Sequence, residues 1–134
     1  MLATSEGLSS FSIDDVEAAR DFYAGTLGLE VVEEHGMLRI KLGTGPWVLA
    51  YPKDDHVPAT HTVIMFPVSD LPAEVAALTA AGVRFEMLPG VGADGIMPGD
   101  GNGPDNSWFK DPAGNWLSVM AGNWLSVMES PSAN

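Results

Sequence analysis

Apolar and polar residues alternate in short runs along most of this chain, and twice the alternation gives way to a helical period. Ser10-Phe11-Ser12-Ile13 alternate strictly, and Asp14-Asp15 follow. Val16, Ala19, Phe22 or Tyr23, and Leu27 then recur at the spacing of one helix face, which predicts a helix within VEAARDFYAGTLG (16–28). Asp14 or Asp15 can cap that helix, and Gly28 can end it. The same grammar returns at HTVIMFPV (61–68), Ser69-Asp70 and LPAEVAALTAAG (71–82), with Val75, Leu78 and Ala81 as the apolar stripe. There Asp70 is the expected cap and Gly82 the expected stop.

Strand-like pieces follow each helix. After the first come LEVVEE (29–34), MLRIKL (37–42) and WVLAY (47–51); after the second come VRFEML (83–88), SWFK (107–110) and WLSVM (116–120). The last two are joined by DPAGN, whose proline and glycine supply the backbone angles of a tight turn. The order β-α-β-β-β therefore occurs twice, over residues of about 8–52 and 61–120, and predicts an α+β fold. Between the modules' parts lies a long loop, PGVGADGIMPGDGNGPDN (89–106), with six glycines and three prolines. A loop of that length in a small domain is either a surface excursion or a functional lid. Calcium chemistry at Asp100-Gly101-Asn102-Gly103 is not expected, because Pro104 stands where an EF-hand loop needs its next ligand.

A repeat of another kind closes the chain: AGNWLSVM at 113–120 is followed at once by AGNWLSVM at 121–128. A slip of eight residues is even, so it preserves strand parity, and alternation cannot choose between the copies. The turn can. The first copy alone follows DP directly, which predicts 116–120 as the core strand of a domain spanning 1–120. Residues 121–134 are then an appended tail.

The chain has 134 residues with 46% hydrophobic and 18% charged side chains, enough apolar material for one folded core. Its 18 acidic residues outnumber 6 basic ones, leaving a formal charge of −12. Such a field repels phosphate backbones and anionic lipids, so neither nucleic acid nor a membrane surface is an expected partner. The absence of cysteine removes thiol nucleophiles, disulfides and thiolate metal sites together. With no signal-peptide pattern at MLATSEGLSS and no bilayer-spanning apolar run, a cytoplasmic location is expected.

VEAARDFYAGTLGLEV (16–31) and WFKDPAGNWLSVM (108–120) together resemble the vicinal oxygen chelate superfamily, the group of glyoxalases, bleomycin-resistance proteins and extradiol dioxygenases. The resemblance implies paired βαβββ modules whose mixed sheets form a cup, with the ligand or metal inside, and a homodimer. Metal-dependent members place His, Gln or Glu at four cup-facing positions. Here those positions fall on Leu8, Val63, Ser118 and a place within WVLAY, none of which offers an imidazole or a carboxylate. A divalent cation needs several nitrogen or oxygen donors at about 2.0–2.2 Å, so no metal and no other cofactor is expected.

Alternation assigns faces within that cup. Ile64, Phe66 and Val68 should meet the helices, leaving His61, Val63 and Met65 inside. Phe11 and Ile13 likewise pack, leaving Ser10 and Ser12; Leu117 and Val119 pack, leaving Trp116, Ser118 and Met120. Arg39 and Lys41 oppose Leu38, Ile40 and Leu42, so Arg39 is either a carboxylate clamp or a solvated edge residue. Tyr51 and Trp108 are either stacking surfaces or core, and Trp47 plugs the rim. His61 is the candidate general base, as histidine exchanges protons near neutrality; its bland alternative is a solvated strand mouth. His56 can join it in a two-histidine metal site with Asp54 or Asp55, and His35 reads as a turn residue.

The expected ligand-binding set is thus Ser10, Ser12, Arg39, Tyr51, His61, Val63, Met65, Trp108, Trp116 and Ser118. The leading functional reading is metal-independent binding of a small hydrophobic or aromatic molecule, as in bleomycin resistance. Two alternatives stand beside it: a lyase or isomerase of the same superfamily using a displaced metal or His61, and an accessory domain with no ligand.

Overall fold

The alternating run at the start becomes strand β1 (Ser9–Ile13), and Asp15 caps the helix that follows by accepting a hydrogen bond from the Ala18 N–H at 3.0 Å. In the computed structural model, which describes residues 1–122, that helix is α-helical only over α1 (Val16–Arg20). It then widens into a π-helical turn over Asp21–Thr26, where the Leu27 N–H bonds the Phe22 carbonyl at 2.9 Å. The wider turn shifts the apolar stripe, so that Ala19 and Tyr23 are buried while Phe22 and Leu27 are half-buried. Tyr23 lies 6.0 Å from the Phe11 ring and edge-on to Phe22. Gly28 ends the segment at φ 71°, a left-handed angle that costs glycine little.

The chain divides into two units at Pro58/Ala59. In the first, β2 (Glu30–Glu34), β3 (Met37–Lys41) and β4 (Trp47–Pro52) join β1 in a mixed sheet of order β1-β4-β3-β2, with β1 and β4 parallel. Its register puts Phe11, Ile13, Leu38, Ile40, Val48 and Ala50 on one face, all buried on the side of α1. Arg20, in the last turn of α1, pairs there with Glu33 of β2.

The second unit repeats the plan with β5 (Thr62–Val68), α2 (Leu71–Ala80), β6 (Asn106–Lys110) and β7 (Trp116–Ala121). Asp70 caps α2 by accepting from the Ala73 N–H at 3.1 Å. Leu71 and Val75 are buried, whereas Ala81 of the expected stripe is exposed. The sheet order is β5-β7-β6, matching the first unit except at its last place. VRFEML (83–88) was expected to supply a fourth strand, but it contributes a bridge from Phe85 to Phe109 and a hydrogen bond from the Glu86 N–H to the Trp108 carbonyl at 2.8 Å. The reason lies on the outer edge of β6, whose other half is taken by Met97, bonded to Asn106 at 2.8 and 3.0 Å.

That pairing also decides the long loop. Ser107, fully buried, donates to the Gly95 carbonyl at 2.7 Å, and Gly95 packs where a β-carbon would lie 3.6 Å from Phe85 and 3.8 Å from Val75 of α2. The middle of the loop is thus pinned on the helix side of the unit, neither a loose excursion nor a lid.

The DPAGN turn is held by buried polar groups. The Asp111 carboxylate accepts from the Asn115 N–H at 2.8 Å and from its side-chain amide at 3.2 Å, while the Asn115 side-chain oxygen accepts from the Ala59 N–H at 3.0 Å. Gly114 completes the turn at φ 86°. The strand that leaves it is the first octapeptide copy, paired parallel to β5 and antiparallel to β6. From the second copy, Ala121 ends β7 and the Gly122 N–H bonds the Val68 carbonyl at 2.7 Å. The rest of the expected tail, 123–134, lies outside the described residues. Among the described residues no helix is long and apolar enough to cross a membrane.

Replacing Asn115 by alanine removes the amide that joins Asp111 to Ala59. Losing buried hydrogen bonds to a charged group should lower stability by about 2–4 kcal/mol, read as a lower urea midpoint. A change within experimental error would show that the turn does not depend on this amide.

Candidate functional site

Each sheet buries one face on its helix and presents the other away from it. In the first unit that second face carries Ser10, Leu49, Arg39 and Val32 in one cross-strand row, with Ser12 opposite Tyr51 in the next. Ser12 and Tyr51 are half-buried, and Ser10 is exposed. Ser12 Oγ and His56 Nδ1 share a hydrogen bond of 2.7 Å. The chain after β4 makes this possible by turning back: the Lys53 N–H bonds the Ile13 carbonyl at 3.0 Å, and the His56 N–H bonds the Lys53 carbonyl at 3.1 Å. His56 is therefore a member of this face, joined to a strand serine, and among the described residues it belongs to no group of three side chains able to hold a metal. Asp55, its expected co-ligand, pairs instead with Lys53 at 3.1 Å. The hydrogen bond from Lys53 holds the exposed Asp55 carboxyl below its usual range and raises the Lys53 ammonium.

Arg39 is already engaged on both sides, 3.2 Å from Glu34 and with its guanidinium 4.8 Å from the centre of the Trp47 ring. Trp47 itself is half-buried beneath Arg39, with Lys41 5.9 Å from its ring.

The corresponding face of the second unit forms three cross-strand rows. Thr62, Trp116 and Lys110 make the first; Met65, Ser118 and Trp108 the second; Pro67, Met120 and Asn106 the third. At ordinary sheet spacings these positions cover roughly 10 by 13 Å, room for a two-ring aromatic system. The central strand is its floor, with Ser118 at 1% and Met120 at 5% exposure, while Met65 at the edge is 58% exposed. Trp108 and Trp116 are half-buried, and the Lys110 ammonium sits 4.6 Å from the Trp116 ring centre. Asn106 Oδ1 is buried and has no hydrogen-bond partner among the described residues.

One face assignment changes here. Thr62 pairs with Trp116 and Ile64 with Leu117, so Val63 is an extra residue, a β-bulge. Parity counted back from Ile64 does not pass through a bulge, and Thr62, not Val63, stands opposite Trp116. His61 precedes the strand and is exposed, the solvated strand mouth of the two readings.

The family model of the Glyoxalase/Bleomycin resistance protein/Dioxygenase superfamily matches residues 10–119. The chain belongs to this superfamily. Among solved structures, a glyoxalase family protein from Enterococcus faecalis is 21% identical with a TM-score of 0.67, covering 90% of this chain and 99% of its own. A lactoylglutathione lyase from Agrobacterium tumefaciens is 22% identical with a TM-score of 0.58, covering 89% and 94%. An antibiotic-binding protein from Streptomyces is 19% identical with a TM-score of 0.60, covering 88% and 97%. At these identities the likeness is one of fold. No curated protein matches the chain in sequence.

The residues present do not fit the superfamily's divalent cation. Leu8 lies ahead of β1 and is 55% exposed, Leu49 of WVLAY is apolar, Val63 is the bulge, and Ser118 offers a single hydroxyl. Among the described residues no three His, Cys, Asp or Glu side chains are grouped to hold a metal. Titration with Zn, Ni, Mn or Fe(II) should therefore give no saturable one-to-one binding. A stoichiometric isotherm, or a metal retained through purification, would overturn this assignment.

Proposed function

We propose that this protein binds a small hydrophobic or aromatic molecule, without a metal ion, on the sheet faces turned away from its helices. The observation that carries the reading is the face built by Met65, Trp108, Trp116 and Met120 around Ser118. Aromatic and thioether groups there supply flat, polarisable contact area, and few polar atoms interrupt it. The first unit carries a separate candidate surface of Ser10, Ser12, Tyr51 and Arg39, with His56 in place of the expected His61. The superfamily contains both a lyase and an antibiotic-binding protein among the structural neighbours, and the missing ligand donors favour the second kind of role. The reading extends to a homodimer, supported by superfamily membership, in the cytoplasm.

One observation favours an enzymatic reading instead. The Ser12–His56 hydrogen bond sets an imidazole beside a hydroxyl, an arrangement able to move a proton from a bound molecule. The two readings part on the fate of the ligand: a binder returns it unchanged, whereas an enzyme converts it at a rate that His56→Ala abolishes.

A thermal-shift screen of small aromatic compounds tests the leading proposal, with affinities then measured by titration. Trp108→Ala should weaken the best compound about tenfold, near 1.4 kcal/mol, the scale of one aromatic stack. No shift with any compound, or an affinity indifferent to Trp108, would favour a domain without a ligand.

A further inference from the structure

Asn106 opens β6 opposite Met120, and its backbone is fully used: its N–H and C=O both bond Met97. The side chain has no such duty. Its Oδ1 is buried with no hydrogen-bond partner among the described residues, and it is the one buried side-chain oxygen or nitrogen there in that state. A buried acceptor left unpaired is destabilising in the free protein, because it has given up water and gained nothing. By register Asn106 shares its face with Trp108, Lys110, Trp116, Ser118 and Met120. Of the other polar groups on this face, Lys110 is engaged with Trp116 and Glu86, and Ser118 offers a hydroxyl on the central strand.

We infer that Asn106 is the specificity-determining polar anchor of this face, accepting a hydrogen bond from an O–H or N–H group on a planar aromatic ligand. The inference rests on the proposed binding function and sharpens it from apolar molecules in general to aromatic hydrogen-bond donors such as phenols, indoles or anilines. Met65, Trp108 and Met120 supply contact area to any flat molecule, so discrimination falls to the polar groups of the face, of which the Asn106 oxygen is the buried one without a partner among the described residues. Sites built around a hydrogen bond reject analogues lacking the donor more strongly than apolar walls reject a change of size.

A matched pair of probes tests this, 2-naphthol and 2-methoxynaphthalene, which share the ring system and differ in the O–H donor. Titrated at neutral pH into the full chain, 2-naphthol should bind at least tenfold more tightly. In Asn106→Leu that ratio should fall to about one, through loss of 2-naphthol binding with 2-methoxynaphthalene retained. The same variant, freed of its unpaired acceptor, should melt roughly 3–6 °C higher without ligand. Asn106→Ala reads the same ratio should the larger side chain disturb the face. Equal binding of both probes by the natural protein, or a ratio unchanged in both variants, overturns the inference and leaves the binding function standing. A melting temperature lowered in both variants also overturns it, since Asn106 would then have a structural partner. Failure of both probes to bind overturns the aromatic-binding reading together with this refinement.

Discussion

The turn between the last two strands is the constraint on which the second unit depends. Asp111 and Asn115 are both buried, and each finds its partners in the other and in the backbone around it. A buried carboxylate and amide are tolerated only when so satisfied, which makes this five-residue geometry difficult to trade for another. It fixes where β7 starts, and so which residues face Trp108 and Met65 and which pack near α2. Through the Ala59 N–H it also fixes where the chain enters the unit. Alternation was satisfied equally by either copy of AGNWLSVM, and the copy joined directly to this turn is the one seen paired with β6.

Once register is set, each sheet has two chemically different sides. One side is aliphatic and aromatic and is consumed by its helix. The other holds hydroxyls, tryptophans, methionines and a few cations whose charges already rest on Glu34, Glu86 or indole rings. In a superfamily that often assembles metal ligands on such faces, this chain offers leucine, valine and serine at the ligand positions.

Much of the plan was legible from local rules. Asp70 caps its helix as its position demands, Gly28 and Gly82 take the left-handed angles expected of helix stops, and the buried faces of β1, β3 and β4 follow the period of two. The departures share a cause: each is a competition between segments distant in sequence. VRFEML has the pattern of a strand, but Met97 occupies half of the edge it needed. Val63 carries the parity of an inward residue, but β5 meets β7 through a bulge. His56 follows an exposed, charged turn and carries no periodic signal, yet it bonds a serine 44 residues away.

The sequence by itself determined the two-module α+β plan, the helix caps, the acidic charge and the residue types at the superfamily's ligand positions, because each rests on residue type and short-range spacing. Tertiary structure decided which segment holds each sheet edge, where the long loop is pinned, which histidine joins the serine face, and that the Asn106 oxygen is buried without a partner among the described residues. Those outcomes depend on competition for a limited number of backbone hydrogen bonds and positions in a packed sheet. Local pattern records what each segment can do, and packing selects which of them does it.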